Sequence, residues 1–363
     1  VCLTSSICRT GLLNGLLKVP ASLGIAVLVF MVVTPAYFLS VPWVISSMLV
    51  VGGALGAALA HLFHGMRFRW THFQRDLHKY KGRILKANPA PYSCRKGPGR
   101  AVSAGQLWEL HEAFAAYIQR RNMYYICPNI VLPLTRSRRL SFAELVGPQQ
   151  VDYFVSHYWG TPFSDFVSGI RGHAVKMNKS EGGWECNHYW ICTFSNNQWN
   201  LGDEIGKDWM QCSFYLALRC GHCMGTAMVL DEDASALGRS WCLFELLQTF
   251  QLTQDREVAS FRDFWLCTKT GVLNLGHSST DAALAIARRV ANLRLQDATA
   301  SVLADKELID GLISSQPGGF DVMNAFVKHH LQGMLADMRR SFELELDRVE
   351  NMLLADEAEP LNS

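Results

Sequence analysis

Thr226-Ala227-Met228-Val229-Leu230-Asp231-Glu232-Asp233, followed five residues later by Arg239-Ser240-Trp241-Cys242-Leu243-Phe244-Glu245-Leu246, decides how the chain is read. The first five residues form an apolar, β-prone run closed by an acidic loop, the pattern of a buried strand. The segment Ala234–Leu252 has the length of a helix. Glu245 is the only carboxylate in Trp241–Leu247. A carboxylate on a mostly buried helix must be neutral, paired or open to a cleft, because desolvating its charge is costly. Near the carboxyl edge of a parallel sheet it suits general acid/base work or a hydrogen bond to a ribose hydroxyl. A structural Glu paired with Arg239 or Arg256 is the plainer reading of the composition.

The same rhythm extends to both sides. Val151–Val155, Tyr189–Phe194 and Phe264–Cys267 read as further strands. Phe163–Met177, Asp203–Cys220 and Thr280–Leu295 read as the helices between or after them. Strands alternating with helices predict a parallel sheet covered on both faces. Upstream, Ser103 with Gln106 and Ser141 with Glu144 have capping-box spacing. Leu107, Leu110, Phe114 and Ile118 then follow at helical intervals. Downstream, residues 305–354 read as helical, interrupted at Gly318-Gly319. Phe326, Val327, Leu331, Leu335 and Met338 give the last helix an apolar stripe that packs on the domain or on a helical partner. The solvated end is acidic, with seven acids and one base in the last 21 residues.

Ser240-Trp241-Cys242-Leu243-Phe244-Glu245-Leu246 resembles the signature of Toll/interleukin-1 receptor (TIR) domains, most closely the plant form. Tyr153-Phe154-Val155-Ser156-His157 is similar to that family's first strand. Leu201–Ile205 with Phe214–Leu218 resembles the loop and helix after its second strand, and Thr226–Leu230 its third strand. His157-Tyr158-Trp159-Gly160 stands where plant TIR domains carry an Arg/Gly/Asp-rich turn. The resemblance covers about residues 150–270 and implies a flavodoxin-like α/β domain. It also implies signalling or assembly by self-association, or cleavage of the nicotinamide–ribose bond of NAD with Glu245 as the catalytic acid. Such cleavage makes the demand of glycoside hydrolysis, a carboxylate beside an oxocarbenium-like centre. Ser156, His157 and Trp159 would then line the binding edge, with Trp159 stacking on nicotinamide or adenine or, more plainly, anchoring its loop. NAD enters as a candidate substrate, and no cofactor is required.

The N-terminal third has a different character. The chain is 49% hydrophobic and 18% charged, less charged than usual for soluble domains. Val19–Met66 contains no Asp, Glu, Lys or Arg. Two apolar helices, Val19–Leu39 and Trp43–Phe63, are expected from that length, each enough to cross a bilayer. Arg9 and Lys18 before them and the basic residues after them place both termini in the cytoplasm. Gly52, Gly53, Gly56 and Ala57 would let the two spans approach closely. Residues 65–100 hold ten Lys/Arg and one Asp, a topology signal that could also press on anionic lipid. The start at Val1 without Met is expected of a fragment or a processed product.

Cys220-Gly221-His222-Cys223 matches a disulfide-exchange motif as a string, but here it ends a helix and precedes a strand, the reverse of the context that activates the thiol. Cys186, His188, Cys220, His222 and Cys223 form a loosely spaced zinc candidate against reduced core thiols. No Gly-rich phosphate loop and no Gly-x-Ser-x-Gly is present. A net charge of +2 excludes a general polyanion binder, and no nucleic-acid partner is expected. The expected organisation is a transmembrane hairpin (1–66), a basic juxtamembrane region with helices (67–149), a TIR-like α/β domain (150–275), a helical C-terminal region (276–354) and an acidic tail (355–363). The expected protein is multi-pass, with two spans, and its partners are the lipid bilayer and further copies of itself. A structural membrane protein whose α/β domain holds no ligand is the third reading.

Overall fold

The structure, a computed structural model, describes residues 42–177, 183–206, 208–254, 261, 263–275 and 280–358. The chain forms two compact units, Val1–His78 and Lys79–Ser363. Helices of twelve residues or more are numbered. They are α1 (Pro42–Ala87), α2 (Ala104–Ile118), α3 (Phe163–Met177), α4 (Ser240–Gln254), α5 (Thr280–Ala291), α6 (Leu303–Ser314) and α7 (Gly319–Ala358).

The N-terminal expectation is corrected here. The first expected span, Val19–Leu39, lies outside the described residues. The second, Trp43–Phe63, is only the first half of α1. That helix does not end with the apolar run but continues without a break through Arg67, Arg69, Arg75, Asp76, Lys79, Lys81, Arg83 and Lys86. Among the described residues no helix is long and apolar enough to cross a membrane. The transmembrane hairpin, the multi-pass membrane localisation and the fold drawn around them therefore do not stand.

The sheet has six strands, β1 (Val102–Ser103), β2 (Tyr153–His157), β3 (His188–Ile191), β4 (Gly225–Val229), β5 (Asp263–Thr268) and β6 (Gly271–Val272), in the order β1-β3-β2-β4-β5-β6. The central four are parallel, and the short outer strands β1 and β6 are antiparallel, so the sheet is mixed rather than all parallel. The central strands are buried along nearly their whole length, which is why they read as continuous apolar runs rather than alternating ones. From β2 the chain moves outward to β3, then returns past β2 to β4. The switch point, where such sheets hold ligands, therefore lies between the carboxyl ends of β2 and β4.

Side chains alternate across the sheet. Phe154, Met228, Phe264 and Leu266 join Leu243, Leu246, Leu247 and Phe250 of α4 in one core, which Ile286, Val290, Ile309, Val327 and Leu331 of the C-terminal helices complete. On the other face Tyr153 and Trp265 close around His173 of α3, with ring centroids 4.8 and 4.7 Å away. Both capping boxes form, Ser103 with Gln106 and Ser141 with Glu144. The expected helix Asp203–Cys220 is instead two short pieces, Leu201–Ile205 and Ser213–Leu218. Gly206 at φ +69° ends the first, and the Asp208 side chain caps a separate turn before the second. His330 stacks on Phe250 with centroids 4.6 Å apart.

Gly225 opens β4 against β5. A Cβ there would lie 2.1 Å from the Asp263 carbonyl oxygen and 2.8 Å from the Trp265 ring. Backbone cannot yield to a methyl group that close. Gly225→Ala is expected to lower stability by about 2–4 kcal/mol, read as a fall in the urea midpoint; an unchanged midpoint would contradict this strand pairing.

Candidate functional site

Ser156 and Glu245 meet at the switch point. Ser156 shares its face of β2 with Phe154, two residues earlier, so its hydroxyl points toward α4. On α4, Cys242, Glu245 and Thr249 lie three and four residues apart and form one stripe facing the sheet. The Cys242 thiol donates to the His157 carbonyl at 3.3 Å. The Ser156 hydroxyl donates to Glu245 Oε2 at 2.6 Å. Thr249 Oγ1 lies 2.8 Å from Thr226 Oγ1 on β4. A polar seam thus runs through an otherwise apolar helix–sheet contact, and Glu245 is its only ionisable carboxyl.

Glu245 keeps 9% of its surface exposed. Burial pushes its carboxyl from the usual range up to about 8, while the Ser156 hydrogen bond pulls the other way. Among the described residues no cation pairs with it. Arg239 does not pair with it: its guanidinium donates to Thr299 Oγ1 at 2.9 Å and Ser301 Oγ at 2.7 Å and lies over the Tyr158 ring. Arg256 lies outside the described residues.

The other expected residues fall in different places. His157 follows Ser156 directly and so faces the opposite side of the sheet. Its ring packs on Phe166 of α3 at 4.7 Å, and burial pushes it down to about 3, which keeps it neutral. It contributes a carbonyl to the seam, not an imidazole. Trp159 anchors its loop. Its indole N–H donates to Cys192 Sγ at 3.2 Å, its carbonyl accepts from the Met123 amide at 3.0 Å, and its ring meets Tyr124 edge-on at 5.5 Å. Gly160 lets the loop turn there, because a Cβ would strike the Tyr158 ring.

Sequence reasoning missed Cys192, Tyr124 and Ser301. Cys192 is the first residue after β3, on the same sheet edge, and its position there was a usable signal. Burial, together with the nearby Glu245 carboxylate, pushes its thiol up to about 12. Burial and Glu245 also raise the Cys242 thiol. Neither sulfur is a thiolate near neutral pH, so neither is an activated nucleophile. Tyr124 binds Ser301 through its hydroxyl at 2.9 Å, and Trp241 Nε1 donates to Asp305 Oδ2 at 3.1 Å. Segment 299–305 is thereby tied to the rim of the site.

Three buried polar atoms, His157 Nε2 on the α3 face of the sheet, Thr161 Oγ1 and Ser240 Oγ, have no hydrogen-bond partner among the described residues. Buried polar groups are normally satisfied by protein, water or ligand. Among the described residues no disulfide forms. Among the described residues no three His, Cys, Asp or Glu side chains come together as a metal-binding group, and the Cys186–Cys223 zinc set does not assemble.

No protein-family model matches the chain, and no curated protein or solved structure matches it either. The resemblance to TIR domains rests on the quoted motifs alone.

Proposed function

We propose that this chain cleaves a cationic N-glycosidic bond, with the nicotinamide–ribose bond of NAD as the test case and Glu245 as the acting carboxyl group. One observation carries this reading. Glu245 is a buried carboxyl with a hydroxyl donor and, among the described residues, no counter-cation, at the switch point of a parallel sheet. A folded protein that leaves a carboxyl so placed gains little from its charge in the free state. A pyridinium ribose entering beside it would supply the missing positive charge and favour the carboxylate. The C1′–N bond then breaks, and its electron pair stays on the ring nitrogen, which neutralises the pyridinium. The carboxylate stabilises the positive charge that develops on the ribose. Water adds at C1′ and loses a proton, giving ADP-ribose, nicotinamide and H⁺.

The test is nicotinamide release from NAD by the full chain at high protein concentration, with Glu245→Gln in parallel. Turnover by the wild type alone supports the proposal; turnover by both, or by neither with the chain folded, ends it.

A second reading, self-association as an assembly module, is favoured by α7. Its first half buries Met323, Val327, Leu331 and Met338 against the domain, and its second half leaves Leu346, Val349 and Leu353 at 68, 47 and 61% exposure. Their four- and three-residue spacing makes one seam, continuous with the buried one. Sedimentation of the wild type is expected to show concentration-dependent association, and Leu346→Glu/Val349→Glu/Leu353→Glu to sediment as a monomer. Equal behaviour of the two would remove α7 from any assembly.

A further inference from the structure

A cavity of about 410 Å³ opens between the connection that follows β4 and the carboxyl end of α5. It lies away from Glu245, and no side chain of the Ser156–Glu245 seam lines it. Its lining includes Arg288, Arg289 and Arg294, with Asp233, Asp297 and Gly238. Three arginines within seven residues of chain line one space, and the buried Ile286, Val290 and Leu293 hold the opposite face of this segment in the core. Two of the arginines stand in the last turn of α5, where they also complement the helix's carboxyl end. That accounts for neither Arg294, which lies beyond the helix, nor the open volume.

The guanidiniums are only partly occupied. Arg289 Nε donates to the Asp233 carbonyl at 3.0 Å, which leaves its two terminal nitrogens. Arg294 lies 3.6 Å from Asp297 in an exposed pair, a contact of small energy. Arg288 has no side-chain partner among the described residues. Gly238 leaves the wall open, since the nearest atom to a Cβ there would be Arg289 Nη1 at 3.8 Å. The volume is that of a small-ligand site. Planar forked donors are the residues of choice for phosphate oxygens.

We infer that this cavity binds a phosphate-bearing small molecule, with Arg288, Arg289 and Arg294 as its ligands. A free diphosphate and the diphosphate of a nucleotide share that chemistry. The inference stands without the Glu245 proposal.

Calorimetric titration of the full chain with inorganic pyrophosphate, with ADP-ribose and with adenosine tests it. Saturable binding of pyrophosphate is expected, weakened at least tenfold in Arg288→Ala/Arg294→Ala and in Gly238→Leu, which fills the cavity. Adenosine is expected not to bind. ADP-ribose binding with the same losses would assign the site to a nucleotide diphosphate, and binding of pyrophosphate alone would assign it to the free anion. Both arginines are exposed, so an unchanged melting temperature of the double variant shows that folding is intact. Glu245→Gln is expected to leave pyrophosphate binding unchanged, which separates this inference from the other. No saturable binding of either phosphate compound, or binding unaffected by the double variant, overturns it.

Discussion

Glu245→Gln is expected to lose NAD cleavage by at least about a hundredfold, the scale seen when one charge-stabilising group is removed from an active site. The same change is expected to make the protein more stable above pH 8. Both effects have one origin. In the unfolded chain the carboxyl titrates near 4.5, and in the folded chain near 8, because burial disfavours its charge. Between those values the folded state holds a proton that the unfolded state has released. Stability therefore falls as pH rises through this window. The penalty is absent below about 4.5, grows between, and levels off above 8, where it reaches on the order of 3–5 kcal/mol. Glutamine cannot ionise and carries none of it. The difference in melting temperature between Glu245→Gln and wild type is thus expected to be near zero at pH 4.5 and largest above pH 8. A difference that does not change with pH would show that Glu245 is not buried uncharged.

Activity should run the opposite way with pH. kcat/KM reports the free enzyme, and the form that stabilises a cationic sugar is the carboxylate. It is expected to rise toward pH 8 and level off beyond. On the proposed function the protein would be least stable where it is most active, a trade found where a site is built from strained or desolvated groups.

The strands β2, β4 and β5 were legible because both of their faces are buried, and burial on both faces writes an unbroken apolar run. The helix Phe163–Met177 and the two capping boxes were legible for local reasons, periodicity and spacing. The antiparallel strands β1 and β6 were not, since two residues leave no pattern. The N-terminal apolar run misled because hydropathy counts side chains and does not show where a helix ends. Pro42 stands at the start of α1, where its missing N–H does no harm. At the site, the sequence singled out Glu245 and Ser156, and the two hydrogen-bond to each other. Grouping His157 with them ignored the period of two, which sends consecutive strand residues to opposite faces. That Arg239 would bond Thr299 and Ser301 rather than Glu245 depends on a segment 60 residues downstream, and no local pattern encodes it.

Arg100→Met is expected to lower stability by about 3–5 kcal/mol, the scale for breaking a buried ion pair from one side. Arg100 is 6% exposed. Its Nη1 donates to Glu204 Oε1 at 2.6 Å, and its Nη2 lies 3.0 Å from Glu144 Oε1 and donates to the Cys94 carbonyl at 2.5 Å. Both carboxylates are buried as well. Glu144 also accepts from the Ser141 and Cys94 amides, at 2.7 and 2.8 Å, and so caps its own helix while it holds the arginine. Glu204 accepts from the Asn197 amide at 3.2 Å, but its Oε2 has no partner. One guanidinium thus joins three stretches far apart in sequence, 94–100, Ser141–Val146 and Asn197–Glu204. Methionine of similar length fills the space but leaves two carboxylates without a cation in a desolvated site. Their charge, not the lost contacts, then dominates the penalty. Adding Glu204→Gln to Arg100→Met should therefore recover about half of the loss, because it removes the carboxylate with fewer remaining donors. A loss below about 1 kcal/mol in urea unfolding, or no recovery in the double variant, would mean that this cluster is held by packing rather than by charge.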